Sequence, residues 1–127
     1  MHSKRKGVHV MIANLTQHAA SQEQLADGVV DLGRASLSTM LTFDDLPTRV
    51  IIEQRARCIA RLAKEAGATA AMIGGAPYLM AQLEIELRKL CIKPVYAFSK
   101  RESMEQVQSD GSTRKVAVFR HAGWIEA

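Results

Sequence analysis

Apolar positions along the chain follow two periodicities. Val8, Val10, Met11, Ile12 and Leu15 form a short, nearly unbroken apolar run, the pattern of a strand buried on both faces. Ser21-Gln22-Glu23-Gln24 then has the form of a capping box, Ser21 accepting from the N–H three residues on while Gln24 reaches back, so a helix starts at Gln22. Gly28 interrupts it, and Val29, Val30 and Leu32 read as a brief second strand. Leu37, Met40 and Leu41 keep helical spacing within residues 34–43, and Asp44, Asp45 and Pro47 announce a stronger helix. Over residues 47–66, Ile51, Ile52, Ala56, Ile59, Leu62, Ala63 and Ala66 recur at intervals of three and four. Glu53 with Arg57 and Arg61 with Glu65 are candidate ion pairs on its other face, and Gly67 ends it.

The stretch Thr69-Ala70-Ala71-Met72-Ile73-Gly74-Gly75-Ala76-Pro77-Tyr78 organises the rest. Its small apolar residues suit a buried strand, the glycines break it, and Pro77 fits the first position of a helix over residues 77–91. That helix buries Leu79, Met80, Leu83, Leu87, Leu90 and Cys91, and Glu84 can pair with Arg88. Residues 94–98 give another strand, opened by Pro94 and closed by Ser99-Lys100-Arg101-Glu102-Ser103. Residues 104–108 and 114–121 flank Ser109-Asp110-Gly111-Ser112, a hairpin signal, and Trp124 and Ile125 fasten the end to the body. The expectation is an α/β protein: a Rossmann-like three-layer sandwich, its sheet mostly parallel with right-handed crossovers and a C-terminal antiparallel hairpin. Residues 11–127 read as one such domain and residues 1–10 as a basic extension.

Composition narrows the function classes. No apolar run is long enough to cross a bilayer, and no signal-peptide core follows the basic start, so a cytoplasmic location is the default. The net charge of +4 includes Lys4, Arg5 and Lys6, and without them +1 remains. That balance, with few aromatic residues for stacking, argues against duplex nucleic acid as a partner. Cys58 and Cys91 fall on apolar helix faces and read as reduced, packed thiols. His2, His9, His18 and His121 make no pair at metal-ligand spacing, so neither a metal nor a cofactor is expected.

Ligands of open parallel sheets lie beyond the carboxyl ends of the strands, which brings together Asn14 to His18, Gly74 to Tyr78 and Ser99 to Ser103. With Pro77 first in its helix, Ala76 takes the capping position without a side-chain acceptor. The N–H groups of Tyr78 and Leu79 are then free for an anion, and the glycines allow close approach. The same pair equally suits a plain tight turn with water on those groups. Lys100 and Arg101 reach such a charge from the neighbouring strand end, with Ser99 and Ser103 as hydroxyl donors. His18 is a candidate general acid or base, with Asn14 and Thr16 orienting a substrate; a surface histidine is the other reading. Walker, dinucleotide and nucleophile-elbow patterns are absent from the sequence.

Asn14-Leu15-Thr16-Gln17-His18-Ala19-Ala20-Ser21, Met72-Ile73-Gly74-Gly75-Ala76-Pro77-Tyr78-Leu79-Met80 and Tyr96-Ala97-Phe98-Ser99-Lys100-Arg101-Glu102-Ser103 together resemble a family of small uncharacterised bacterial proteins, often carried on mobile elements. The resemblance covers nearly all of the chain beyond Met11 and brings no established activity. More distantly, the Asn-Leu-Thr-x-His opening is similar to small Rossmann-like proteins associated with CRISPR systems, some of which bind or degrade cyclic oligoadenylates. That likeness implies a ring-shaped oligonucleotide ligand bound across a homodimer, with His18 or Lys100 assisting attack by a ribose hydroxyl. Two functions follow as expectations: binding of an anionic or nucleotide-like small molecule, with or without phosphodiesterase activity, or a non-enzymatic accessory or interaction module of a mobile element.

Overall fold

The computed structural model describes residues 10–127; Val8 and most of the basic extension lie outside them. The described elements are β1 (Ile12–Asn14), α1 (Gln22–Ala26), β2 (Val29–Asp31), α2 (Arg34–Leu41), α3 (Arg49–Glu65), β3 (Ala70–Met72), α4 (Pro77–Lys89), β4 (Lys93–Val107) and β5 (Thr113–Glu126). They form one five-stranded sheet in the order β2-β1-β3-β4-β5, parallel except for the antiparallel β4–β5 pair. The fold is the expected α/β arrangement. Right-handed crossovers in this order put α1 on one face of the sheet and α2, α3 and α4 on the other.

Local chemistry explains where the helices begin and end. The capping box of α1 is present in full, Ser21 accepting from Gln24 N–H and Gln24 from Ser21 N–H. Gly28, which follows α1, has φ +103°, and a Cβ there would lie 2.6 Å from the Val10 carbonyl oxygen, so no other residue fits this turn. Thr48 caps α3 by accepting from Ile51 N–H at 3.2 Å. Gly67 N–H bonds the Lys64 carbonyl and Ala68 N–H the Ala63 carbonyl, both at 3.0 Å, a Schellman ending with Gly67 at φ +83°. Arg55 of α3 donates to the carbonyls of Thr39, Met40 and Thr42, closing the carboxyl end of α2.

The main core joins Ala13, Leu15, Ala71 and Ile73 of the sheet region to buried residues of α2, α3 and α4, among them Leu37, Ile59, Leu79 and Leu83. A smaller cluster on the opposite face, Ile12, Val29, Ala70, Met72 and Val95, is covered in part by Ala20 and Trp124. Ile51, expected inside, is 39% exposed, while its neighbour Ile52 is buried. Arg57 turns to Glu86 of α4, at 3.9 Å, rather than to Glu53; Glu84 and Arg88 pair at 3.6 Å as expected.

Two expectations are corrected. Cys58 and Cys91 are free thiols but both are exposed, not packed. α4 ends at Lys89, and Cys91 sits past its end at φ 61°, with its N–H on the Arg88 carbonyl and Ile92 N–H on the Leu87 carbonyl. Cys91 thus holds the Schellman position usually taken by glycine, which turns its side chain off the buried stripe. Nor does a strand end at residue 98. β4 continues through Ser99 to Val107, with a bulge between Phe98 and Ser99, and pairs along its length with β5. The polar residues of this segment alternate across a solvated ribbon and so leave the strand intact. Gly111, at φ +85°, makes the turn, and the Ser112 hydroxyl and then its N–H, both donated to Asp110, hold that carboxyl below its usual range.

Trp124 does fasten the end to the body. Its Nε1 donates to Asp27 Oδ2 at 3.1 Å, His121 Nε2 meets the same oxygen at 3.0 Å, and the two rings lie 4.6 Å apart. Arg120 adds ion pairs to Glu102 at 3.0 Å and to Glu23 of α1 at 3.9 Å.

Candidate binding cleft at the strand ends

The sheet order reverses between β1 and β3: from β1 the chain crosses to β2, and from β3 it proceeds away to β4. At such a switch point the connecting loops part and leave a crevice beyond the strand ends. A cavity of about 730 Å³ occupies it, walled by Thr16, Gln17, His18 and Ala19 after β1 and by Gly74 and Gly75 after β3. Ser21 and Gln24 of the α1 cap, with Tyr96 and Ala97 of β4, complete the wall. The volume is that of a small-molecule site.

The loop after β1 is held by one buried side chain. Asn14, 2% exposed, donates from Nδ2 to the His18 carbonyl and to Asp31 Oδ1 of β2, both at 2.7 Å. Its Oδ1 accepts from Thr16 N–H at 2.9 Å and Thr16 Oγ1 at 2.7 Å. Asp31 Oδ1 also accepts from Ala20 N–H at 3.1 Å, fixing the far end of the loop. An amide is required, because only Asn or Gln offers two donors and an acceptor from one group. Asn14 is therefore a positioning residue: its polar atoms are spent on the loop that presents Gln17 and His18, both exposed, to the cavity. Asp31 is the partner that periodicity in the sequence did not reveal, since it stands at an ordinary strand end.

On the β3 side the floor is bare backbone. A Cβ on Gly74 would lie 3.6 Å from Thr16 Cγ2, and one on Gly75, at φ +156°, 3.4 Å from Met80 Cε. Among the described residues no hydrogen bond engages the Gly74 or Gly75 N–H. Ala76 is the α4 cap and makes no side-chain hydrogen bond, as expected, but Leu79 N–H is not free: it donates to the Ala76 carbonyl at 3.0 Å. Ala76 and Tyr78 are not on the cavity wall. The Tyr78 ring instead meets Phe43 at 5.6 Å, and Phe43 lies beneath the Arg55 guanidinium at 4.3 Å.

Of the residues singled out in sequence, the cavity brings together Thr16, His18, Gly74 and Gly75, with Asn14 directly behind them. Ser99, Lys100, Arg101 and Ser103 lie on the exposed ribbon, opposite His121, Arg120, Phe119 and Ala117. The continuous β4 strand carries them past the cleft. Tyr96 and Ala97 stand on the wall in their place, and the Tyr96 side chain packs toward the main core. Its hydroxyl donates to Glu84 Oε2 at 2.7 Å. Burial first, and then this bond, push its pKa up to about 12, so it remains a phenol at physiological pH. No described residues gather three His, Cys, Asp or Glu side chains where a metal would sit.

A sheet in this order, with a cleft where the order reverses, defines a doubly wound α/β protein. The chain belongs to the uncharacterized protein MJ1673 family, whose model matches residues 10–125. No curated protein and no solved structure matches it. No described helix is long and apolar enough to cross a membrane.

Proposed function

We propose that the protein binds a small anionic, nucleotide-like ligand in the cleft between the loops after β1 and β3. The observation that carries this reading is the cavity itself: it lies at the switch point, its floor is the open Gly74-Gly75 backbone, and His18 stands on its rim. Backbone N–H groups and an imidazole suit phosphate oxygens. The likeness of Asn14-Leu15-Thr16-Gln17-His18 to small CRISPR-associated proteins makes ring-shaped oligoadenylates the first ligands to try. In a phosphodiesterase version of this reading His18 assists the ribose hydroxyl; Lys100, outside the cavity, has no part in it.

A second reading, an accessory module of a mobile element that meets a protein, is favoured by the β4–β5 ribbon, where Val107 is 73% and Phe119 72% exposed. A thermal-shift panel of phosphate, mononucleotides, dinucleotides and cyclic oligoadenylates separates the two. A ligand present at a hundred times its Kd stabilises by about 2.7 kcal/mol, which raises Tm by roughly 10 °C. The shift is expected to vanish in Gly74→Val, which fills the floor. A flat response across the panel removes the binding reading and leaves the interaction module.

A further inference from the structure

The geometry points to a second copy of this chain as the partner of the free edge of β4 over residues 98–107. β4 bonds β3 only through Lys93, Pro94 and Val95, whereas its pairing with β5 runs on to Val107. Beyond Phe98 the sheet is therefore a ribbon of two strands, roughly 30 Å long, and no described strand pairs with the other edge of β4 there. A two-stranded ribbon is marginally stable in water, and a long edge of unpaired N–H and C=O groups is a template for another strand. Apolar side chains stay in solvent on this ribbon, with Phe98 49% and Met104 41% exposed.

The charges identify the partner. The free edge reads Lys100-Arg101-Glu102-Ser103-Met104-Glu105-Gln106, with Lys100 and Arg101 toward one end and Glu105 toward the other, while Glu102 between them is paired with Arg120 of its own chain. An antiparallel pairing of two copies centred on Ser103 sets Arg101 of each opposite Glu105 of the other, and Lys100 opposite Gln106. Two favourable cross-strand pairs thus form by symmetry. A parallel pairing in register sets every charge against itself. The outer edge of β5 is less suited, because it carries Arg114, Lys115 and Arg120 and no carboxylate before Glu126. The two-fold β4 pairing turns two marginal ribbons into one four-stranded layer, which reaches the strand count that a free-standing sheet needs.

Sedimentation equilibrium of the full chain tests this, since a dimer has twice the 14.0 kDa chain mass. Arg101→Glu, an exposed position, places like charges in both pairs and is expected to weaken the dimer about tenfold or more. Arg101→Glu combined with Glu105→Arg restores the pairs and should restore the dimer. A wild-type monomer at high concentration overturns the inference. So does a dimer indifferent to Arg101→Glu, which would place the contact elsewhere, and so does failure of the double exchange to rescue.

Discussion

Asn14 Nδ2 donates to Asp31 Oδ1 at 2.7 Å, joining the ends of β1 and β2 beneath the loop that forms one wall of the cleft. Removing the buried amide in Asn14→Ala leaves Asp31, Thr16 and the His18 carbonyl without these partners. The amide makes four hydrogen bonds, and at about 1 kcal/mol for each the variant should be destabilised by roughly 4 kcal/mol, or about 15 °C in Tm. Asn14→Asp sharpens the test, because it sets a carboxylate against Asp31. One of the two must then hold its proton in the folded state, with a raised pKa. The stability of that variant should fall as pH rises through that pKa, while the wild type shows no such fall. Chemical denaturation at pH 5 and pH 8 measures both.

Cys91 at φ 61° predicts a gain. A non-glycine residue in the left-handed region costs roughly 1 kcal/mol, and the Schellman bonds around Cys91 require that conformation. Cys91→Gly should therefore raise stability by about 0.5–1 kcal/mol, with Cys91→Ala near neutral as the control for loss of the thiol. Thermal unfolding under reducing conditions is the measurement, and a loss of stability in Cys91→Gly contradicts the assignment.

The Tyr96–Glu84 contact predicts behaviour at high pH. With the folded pKa raised from 10.0 to about 12, the contribution of the phenol is fully present below pH 10 and is lost as pH rises toward 12. Tyr96→Phe should remove that part of the decline, and tyrosinate absorbance of the wild type should show one tyrosine titrating near pH 12. A midpoint near 10 for both tyrosines would show that Tyr96 is free of Glu84.

The sequence made the parallel frame legible because each of its elements carries a local signal. Ser21 with Gln24, Gly28, Gly67 and Pro77 mark helix ends within a residue or two of where they fall. The errors come where tertiary context replaces that signal. Ser99 to Ser103 look like a polar strand end, yet β5 supplies a ladder partner for each of them, and hydrogen bonding across the ribbon needs no apolar residue. Cys91 looks like the next residue of an apolar stripe, but the chain has already turned left-handed. In the cleft, Thr16, His18, Gly74 and Gly75 were legible from topology alone. Asn14 reads in the sequence as a ligand contact and Asp31 carries no signal of its own, because their joint role depends on β1 lying beside β2.

The account stands on ligand binding at the switch point, and isothermal titration of a cyclic oligoadenylate and of its mononucleotide into wild-type protein and His18→Ala tests it most directly. We predict saturable binding to the wild type, weakened about tenfold in His18→Ala through loss of one hydrogen bond to a charged phosphate. No heat with either ligand, or wild-type affinity retained in His18→Ala, would contradict it.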